Sequence, residues 1–96
     1  MAARLLCVGS DLTHLKTRCD VLVSRGYVAR SVAVREAENL LQTDAFDLII
    51  VSAWLEDEQK SRILAAAGNT PTLVLTRLTS AEDLLGQVSQ VLLNHA

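Results

Sequence analysis

The apolar positions of this 96-residue chain follow two alternating rhythms. Leu5 to Val8 and Leu48 to Val51 are short unbroken apolar runs. Runs of this length, rich in branched side chains, fit strands buried on both faces, as parallel strands are. Between them, Leu12, Leu15, Cys19 and Leu22 recur at helical spacing, with Lys16, Arg18 and Asp20 off the stripe. The pattern predicts a strand over Arg4 to Val8, a turn at Gly9-Ser10-Asp11, and a helix closed by Gly26. A second strand is expected from Tyr27 to Val34, with Arg30 alternating with apolar neighbours as on a sheet edge. A short helix follows from Arg35 to about Thr43, burying Ala37, Leu40 and Leu41 and lacking a good N-cap residue.

After the central strand, Glu56-Asp57-Glu58 precede Lys60 and Arg62 on a helix running to about Ala67, an order that complements the helix dipole. Gly68-Asn69 ends it, and Thr70-Pro71 opens a fourth strand over Thr72 to Thr76. Thr79 with Glu82, or Ser80 with Asp83, has capping-box spacing before a helix that buries Leu84, Leu85, Val88, Val91 and Leu92. Strands alternating with helices imply a parallel α/β sheet with right-handed crossovers.

The order and spacing of these segments resemble the receiver domain of bacterial response regulators, the CheY-like, flavodoxin-like family. Leu5-Leu6-Cys7-Val8 matches its first strand, and the distance from Asp11 to Gly26-Tyr27 suits its first helix. Ala37 to Leu41 resembles its "EALxLL" helix, Phe46 to Val51 its "PDLVLL" strand, Thr70 to Thr76 its "TPVIxLT", and Glu82 to Leu85 its "EELL". The resemblance implies a three-layer fold over residues 1–96 as a single domain. Its sheet has four strands in the order 2-1-3-4 and carries four helices, one strand and one helix fewer than a receiver.

Ligands of open α/β sheets gather beyond the carboxyl ends of the strands, here at Ser52-Ala53-Trp54. A receiver holds Mg²⁺ there with an acidic pair, and forms an acyl phosphate on an aspartate. Gly9 and Ser10 stand at the pair's positions, and Ser52 at the phosphoacceptor's. Mg²⁺ wants carboxylates in its oxygen shell, which none of these supplies. Asp11, Thr76 and Arg77 are retained family-like positions, Thr76 at the switch hydroxyl and Arg77 in place of the family's lysine. The resemblance thus implies a degenerate receiver with no phosphotransfer and no metal or other cofactor. The expected function is a phosphorylation-independent interaction module in signalling or transcription regulation.

Composition narrows the partners. Nine basic and eleven acidic residues give a formal charge of −2, without the basic cluster that nucleic acid or an anionic membrane would need. No apolar stretch approaches the roughly 18 residues of a membrane-spanning helix, and the first residues lack a signal-peptide layout, so a cytoplasmic protein is expected. Cys7 and Cys19 sit in apolar patterns, which predicts reduced, packed thiols that alkylate slowly.

Other candidate chemistry in the chain has a plainer reading. Asp11 and His14 are three apart near the first strand's end, and with Ser52 they define the alternative of a small enzyme or metal binder. Two ligands rarely make a metal site, so a helix-start aspartate and a surface histidine are preferred. Cys7 before Gly9-Ser10 resembles the phosphocysteine loop of sugar-transport IIB proteins, but there the cysteine opens the loop. The glycines at 9, 26, 68 and 86 make no nucleotide-binding motif. Glu56 and Asp57 are ordinary first-turn acids rather than a displaced phosphoacceptor. Trp54 is either a plug over the shortened loop or an anchor for a partner, with the plug preferred. Leu73, Val74 and Leu75 form an uncharged strand with no fifth strand to cover it, which predicts a homodimer paired through that edge.

Overall fold

The computed structural model describes residues 3–10, 12–75 and 80–94. The chain forms β1 (Arg4–Val8), α1 (Leu12–Ser24), β2 (Val28–Val32), α2 (Val34–Thr43), β3 (Leu48–Val51), α3 (Asp57–Ala67), β4 (Thr72–Val74) and α4 (Ala81–Asn94). All strand pairs are parallel, and the sheet order is β2-β1-β3-β4. This is the expected three-layer α/β arrangement of flavodoxin-like type.

Alternation along the central strands sorts side chains into two cores. Leu5, Cys7, Leu48 and Ile50 face α1 and α4, where they meet Leu15, Cys19, Leu22, Leu84 and Val88. Leu6, Val8, Ile49 and Val51 face α2 and α3, meeting Ala37, Leu55, Ile63 and Ala67. All four residues of β3 are buried, which is why its sequence is continuously apolar rather than alternating. At its entry, the Arg4 N–H donates to Asp47 Oδ2 at 2.7 Å and the Asp47 N–H to the Arg4 carbonyl at 2.8 Å. The Arg4 guanidinium lies 5.2 Å from the centre of the Phe46 ring. The Phe-Asp pair before the apolar run therefore ties β1 to β3 and sets their register.

The strand ends differ from expectation. β2 is Val28–Val32 rather than Tyr27 to Val34, because Tyr27 belongs to the cap of α1 and Val34 opens α2. The cap is a Schellman motif: the Gly26 N–H donates to the Val23 carbonyl at 3.0 Å and the Tyr27 N–H to the Leu22 carbonyl at 3.2 Å. α2 has Ala33 as its N-cap with no side-chain bond, as its sequence implied. Packing of its apolar face holds it instead, with Ala37 fully buried and Leu40 and Leu41 half-buried. Glu56 is the N-cap of α3 rather than its first residue, and its N–H donates to Gln59 Oε1 at 3.1 Å. At α4, Ser80 and Asp83 form the reciprocal pair: the Asp83 N–H donates to Ser80 Oγ at 3.1 Å, and the Ser80 N–H to Asp83 Oδ2 at 3.4 Å. Thr79, the other expected cap, is outside the described residues.

β4 ends at Val74 rather than Thr76, although the Leu75 N–H still donates to the Val51 carbonyl at 2.9 Å. Thr76 is outside the described residues.

Gly26 has φ +90°, which an L side chain adopts only with strain, while a Cβ there would meet nothing within 4 Å. Gly26→Ala is therefore expected to destabilise by about 1 kcal/mol, purely through backbone conformation. An unchanged urea midpoint would show that the turn relaxes without cost.

Candidate functional site

The place to look is the carboxyl edge of β1 and β3. Val8 and Val51 are register partners, so Gly9 and Ser52 leave the sheet side by side. The Ser52 N–H donates to the Val8 carbonyl at 2.9 Å, and the Gly9 N–H to the Val32 carbonyl at 3.2 Å. Each strand is thus held by its neighbour to its last residue. A Cβ on Gly9 would lie 2.9 Å from Ser52 Cβ and 3.1 and 3.2 Å from the two Leu15 methyls. The 2.9 Å contact forces something to shift, and Ser52 Cβ sits too close to the backbone to swing aside, while the Leu15 methyls would have to give by a few tenths of an ångström. Gly9 and Ser52 are packed against each other, with no room between them for even one more carbon.

Ser52 itself is only 5 % exposed. Its Oγ accepts the Trp54 N–H at 3.3 Å, and its carbonyl accepts the Leu55 N–H at 3.4 Å. This tight turn sends Leu55 down into the core and turns Trp54 outward, 54 % exposed. The expectation that Trp54 plugs the shortened loop is therefore wrong; Leu55 is the plug. Residue 54 lies at the tip of a turn whose next residue takes the inward direction. Ser10 is exposed beside the closed edge. Asp11, Thr76 and Arg77 are outside the described residues, as is the His14 side chain, so the retained family-like positions and the Asp11–His14 pair have no described geometry. Among the described residues, no three metal-ligating side chains stand together. Two shallow clefts lie at the opposite, amino end of the strands, one beside Ala3, Tyr27 and Leu92 and one beside Phe46 and Pro71.

The expected interface residues also separate. Leu73 and Leu75 point to the α1/α4 core, and Leu75 is 2 % exposed against Leu84 and Val88. Leu75 is therefore core rather than interface, because α4 covers that side of β4. Val74, the register partner of Val51, points to the α3 side and is 42 % exposed.

Periodicity places two cysteines separately, and the fold brings them into one layer. Cys7 of β1 and Cys19 of α1, both free and buried, meet in the α1/α4 core. The neighbouring Cys19 and then burial push the Cys7 thiol well above its ordinary value. Cys19 is lowered to about 7, chiefly by the neighbouring Cys7, against the opposing effect of burial.

No helix among the described residues is long and apolar enough to cross a membrane. No family model matches the chain, and no curated protein matches its sequence.

Two glycine substitutions separate crowding from propensity. Gly9→Ala is expected to destabilise by about 1–3 kcal/mol through overpacking against Ser52 and Leu15. Gly86→Ala, in mid-α4 with nothing within 4 Å, is expected to stabilise by about 0.5–1 kcal/mol. Urea midpoints that move in the same direction for both would contradict this packing at the carboxyl edge.

Proposed function

We propose that this chain is a receiver-like module that has given up phosphotransfer and acts by binding protein, first of all a second copy of itself. The observation that carries the first half is the contact between Gly9 and Ser52. With Ser52 Oγ accepting the Trp54 N–H and no space for a side chain at Gly9, the described residues of the carboxyl edge offer neither an acyl-phosphate former nor a cradle for Mg²⁺. The same burial argues against an enzyme that uses Ser52 as a nucleophile. A cytoplasmic role in signalling or transcription regulation follows from the receiver-like order of elements, and is part of the proposal.

The second half rests on β4. The Leu75 N–H bonds to Val51 and the Pro71 carbonyl accepts from Ile49, so odd-numbered residues turn their backbone groups toward β3. Thr72 and Val74 then direct theirs away from the sheet. Among the described residues no strand pairs with that edge. It carries no charged residue, whereas the opposite edge strand, β2, presents Arg30. An uncharged open edge is a template for another strand. A two-fold axis would set two β4 strands antiparallel and join the sheets into one of eight strands, with Val74 meeting its own copy. Leu64 of α3 and Val74 are both exposed on the α3 side, and supply apolar surface for the contact.

Light scattering at micromolar concentration should give a dimer mass. Val74→Lys should return it to monomer, and Arg30→Glu should not; a wild-type monomer mass overturns self-association. Incubation with Mg²⁺ and acetyl phosphate should leave the intact mass unchanged, for wild type and for Ser52→Asp alike. A stoichiometric phosphoryl gain that hydroxylamine removes in the wild type would overturn the loss of phosphotransfer.

A further inference from the structure

Two contacts fix how α3 is turned about its own axis. Ile63 is fully buried beneath it, and the Arg62 guanidinium on one flank reaches Glu38 of α2 at 3.0 Å. At about 100° per residue, Asp57, Lys60 and Leu64 then fall on the other flank, away from α2. The sheet runs β2-β1-β3-β4 and α2 packs on β1, so that flank looks toward the open edge of β4. Leu64 is 48 % exposed there, on the same side of the sheet as the exposed Val74. Trp54, exposed at the tip of the preceding turn, stands just ahead of the helix. Three exposed large apolar side chains thus belong to the β3–α3–β4 unit that ends the sheet, and an acid and a base lie between Trp54 and Leu64.

We infer that Trp54 of each protomer packs on the partner's Leu64, with Asp57 facing the partner's Lys60, an inference that rests on the pairing of two copies through β4. A two-fold axis at Val74 reverses the helix as it reverses the strand, so the two α3 helices run antiparallel along the seam. Val74 is level with Val51, the last residue of β3, and α3 begins after the short turn that follows. The axis therefore crosses the first turns of α3 rather than its middle. About that crossing, Asp57 comes opposite Lys60 in both directions. Leu64, further along, comes opposite the stretch just ahead of the partner's helix, where Trp54 stands. A flat indole over an aliphatic side chain removes two bare surfaces from water together, and Trp is the residue most suited to anchor such a contact. The charge pairs at the rim add little strength but set the alignment. Sliding one helix by a turn would put Asp57 against Leu64 and leave Trp54 bare.

Trp54 is the chain's single tryptophan, so intrinsic fluorescence reports on this contact alone. The test follows emission and acrylamide quenching of the full chain over a dilution series, with light scattering on the same samples. As the dimer forms, emission should move to shorter wavelength and quenching should fall, relative to the Val74→Lys monomer. Leu64→Ala, at an exposed position, should raise the dimer dissociation constant about tenfold or more and leave Trp54 more open to acrylamide in whatever dimer remains. Lys60→Glu should weaken the dimer, and adding Asp57→Lys to it should restore the wild-type constant. A dimer mass with emission and quenching equal to those of the monomer overturns the inference and leaves the dimer standing. A Lys60→Glu protein that dimerises as tightly as wild type overturns the alignment in the same way. A monomer mass at every concentration overturns the dimer, and this contact with it.

Discussion

Two strands in this chain have no exposed side. Leu6 to Val8 and Leu48 to Val51 bury every side chain, so β1 and β3 are stable only with helices on both faces. That demand fixes the three layers, and the two mutual bonds between Arg4 and Asp47 fix how the strands align beneath them. Everything else is arranged around keeping that pair dry. α1 and α4 close one face with Leu15, Leu22, Leu84 and Val88, and α2 and α3 close the other with Ala37 and Ile63. A chain of this size has little cover to spare, and the shortfall falls on the sheet's edge. Val74 is left partly bare on the α3 side while Leu73 and Leu75 are covered from the α4 side.

The same alignment governs the carboxyl edge. Once Val8 and Val51 are abreast, the next residues must leave the sheet together, and Gly9 is the residue that lets them do so. A larger side chain would press on Ser52 and on Leu15, and so on the seating of α1. Closing the edge therefore improves packing over β1 and β3 at the very position where an open sheet would hold a ligand. Carboxylates in such a spot repel one another and lose hydration, and they are tolerated where a cation compensates them. Glycine and a self-satisfied serine carry no such cost.

Much of this was legible in the chain. Continuous apolar runs identified β1 and β3 because a strand buried on both faces has no alternation to show, and the helical stripes identified α1 and α4. Strand ends were less legible, since Tyr27 and Val34 are as apolar as any strand residue and only the backbone bonds of the Gly26 cap assign Tyr27 elsewhere. Trp54 misled because size suggests burial, whereas the direction of a side chain at the tip of a four-residue turn is set by hydrogen bonds to Ser52. Leu75 misled for a different reason. An edge strand read alone looks open on both faces, and which face α4 covers is a tertiary fact.

The meeting of Cys7 and Cys19 shows where sequence reasoning stops short of what it already holds. Cys7 alternates with Leu6 and Val8, so it shares a face with Leu5, and Cys19 sits on the stripe that α1 must bury. Each statement comes from periodicity alone. What joins them is the hand of the crossover, which puts α1 on one defined face of β1 relative to β2. Add the strand register, and Ser31 arrives beside Cys7 on that same face. Two thiols and a hydroxyl are thus brought to one side of the sheet, a placement that neither the strand nor the helix shows when read alone.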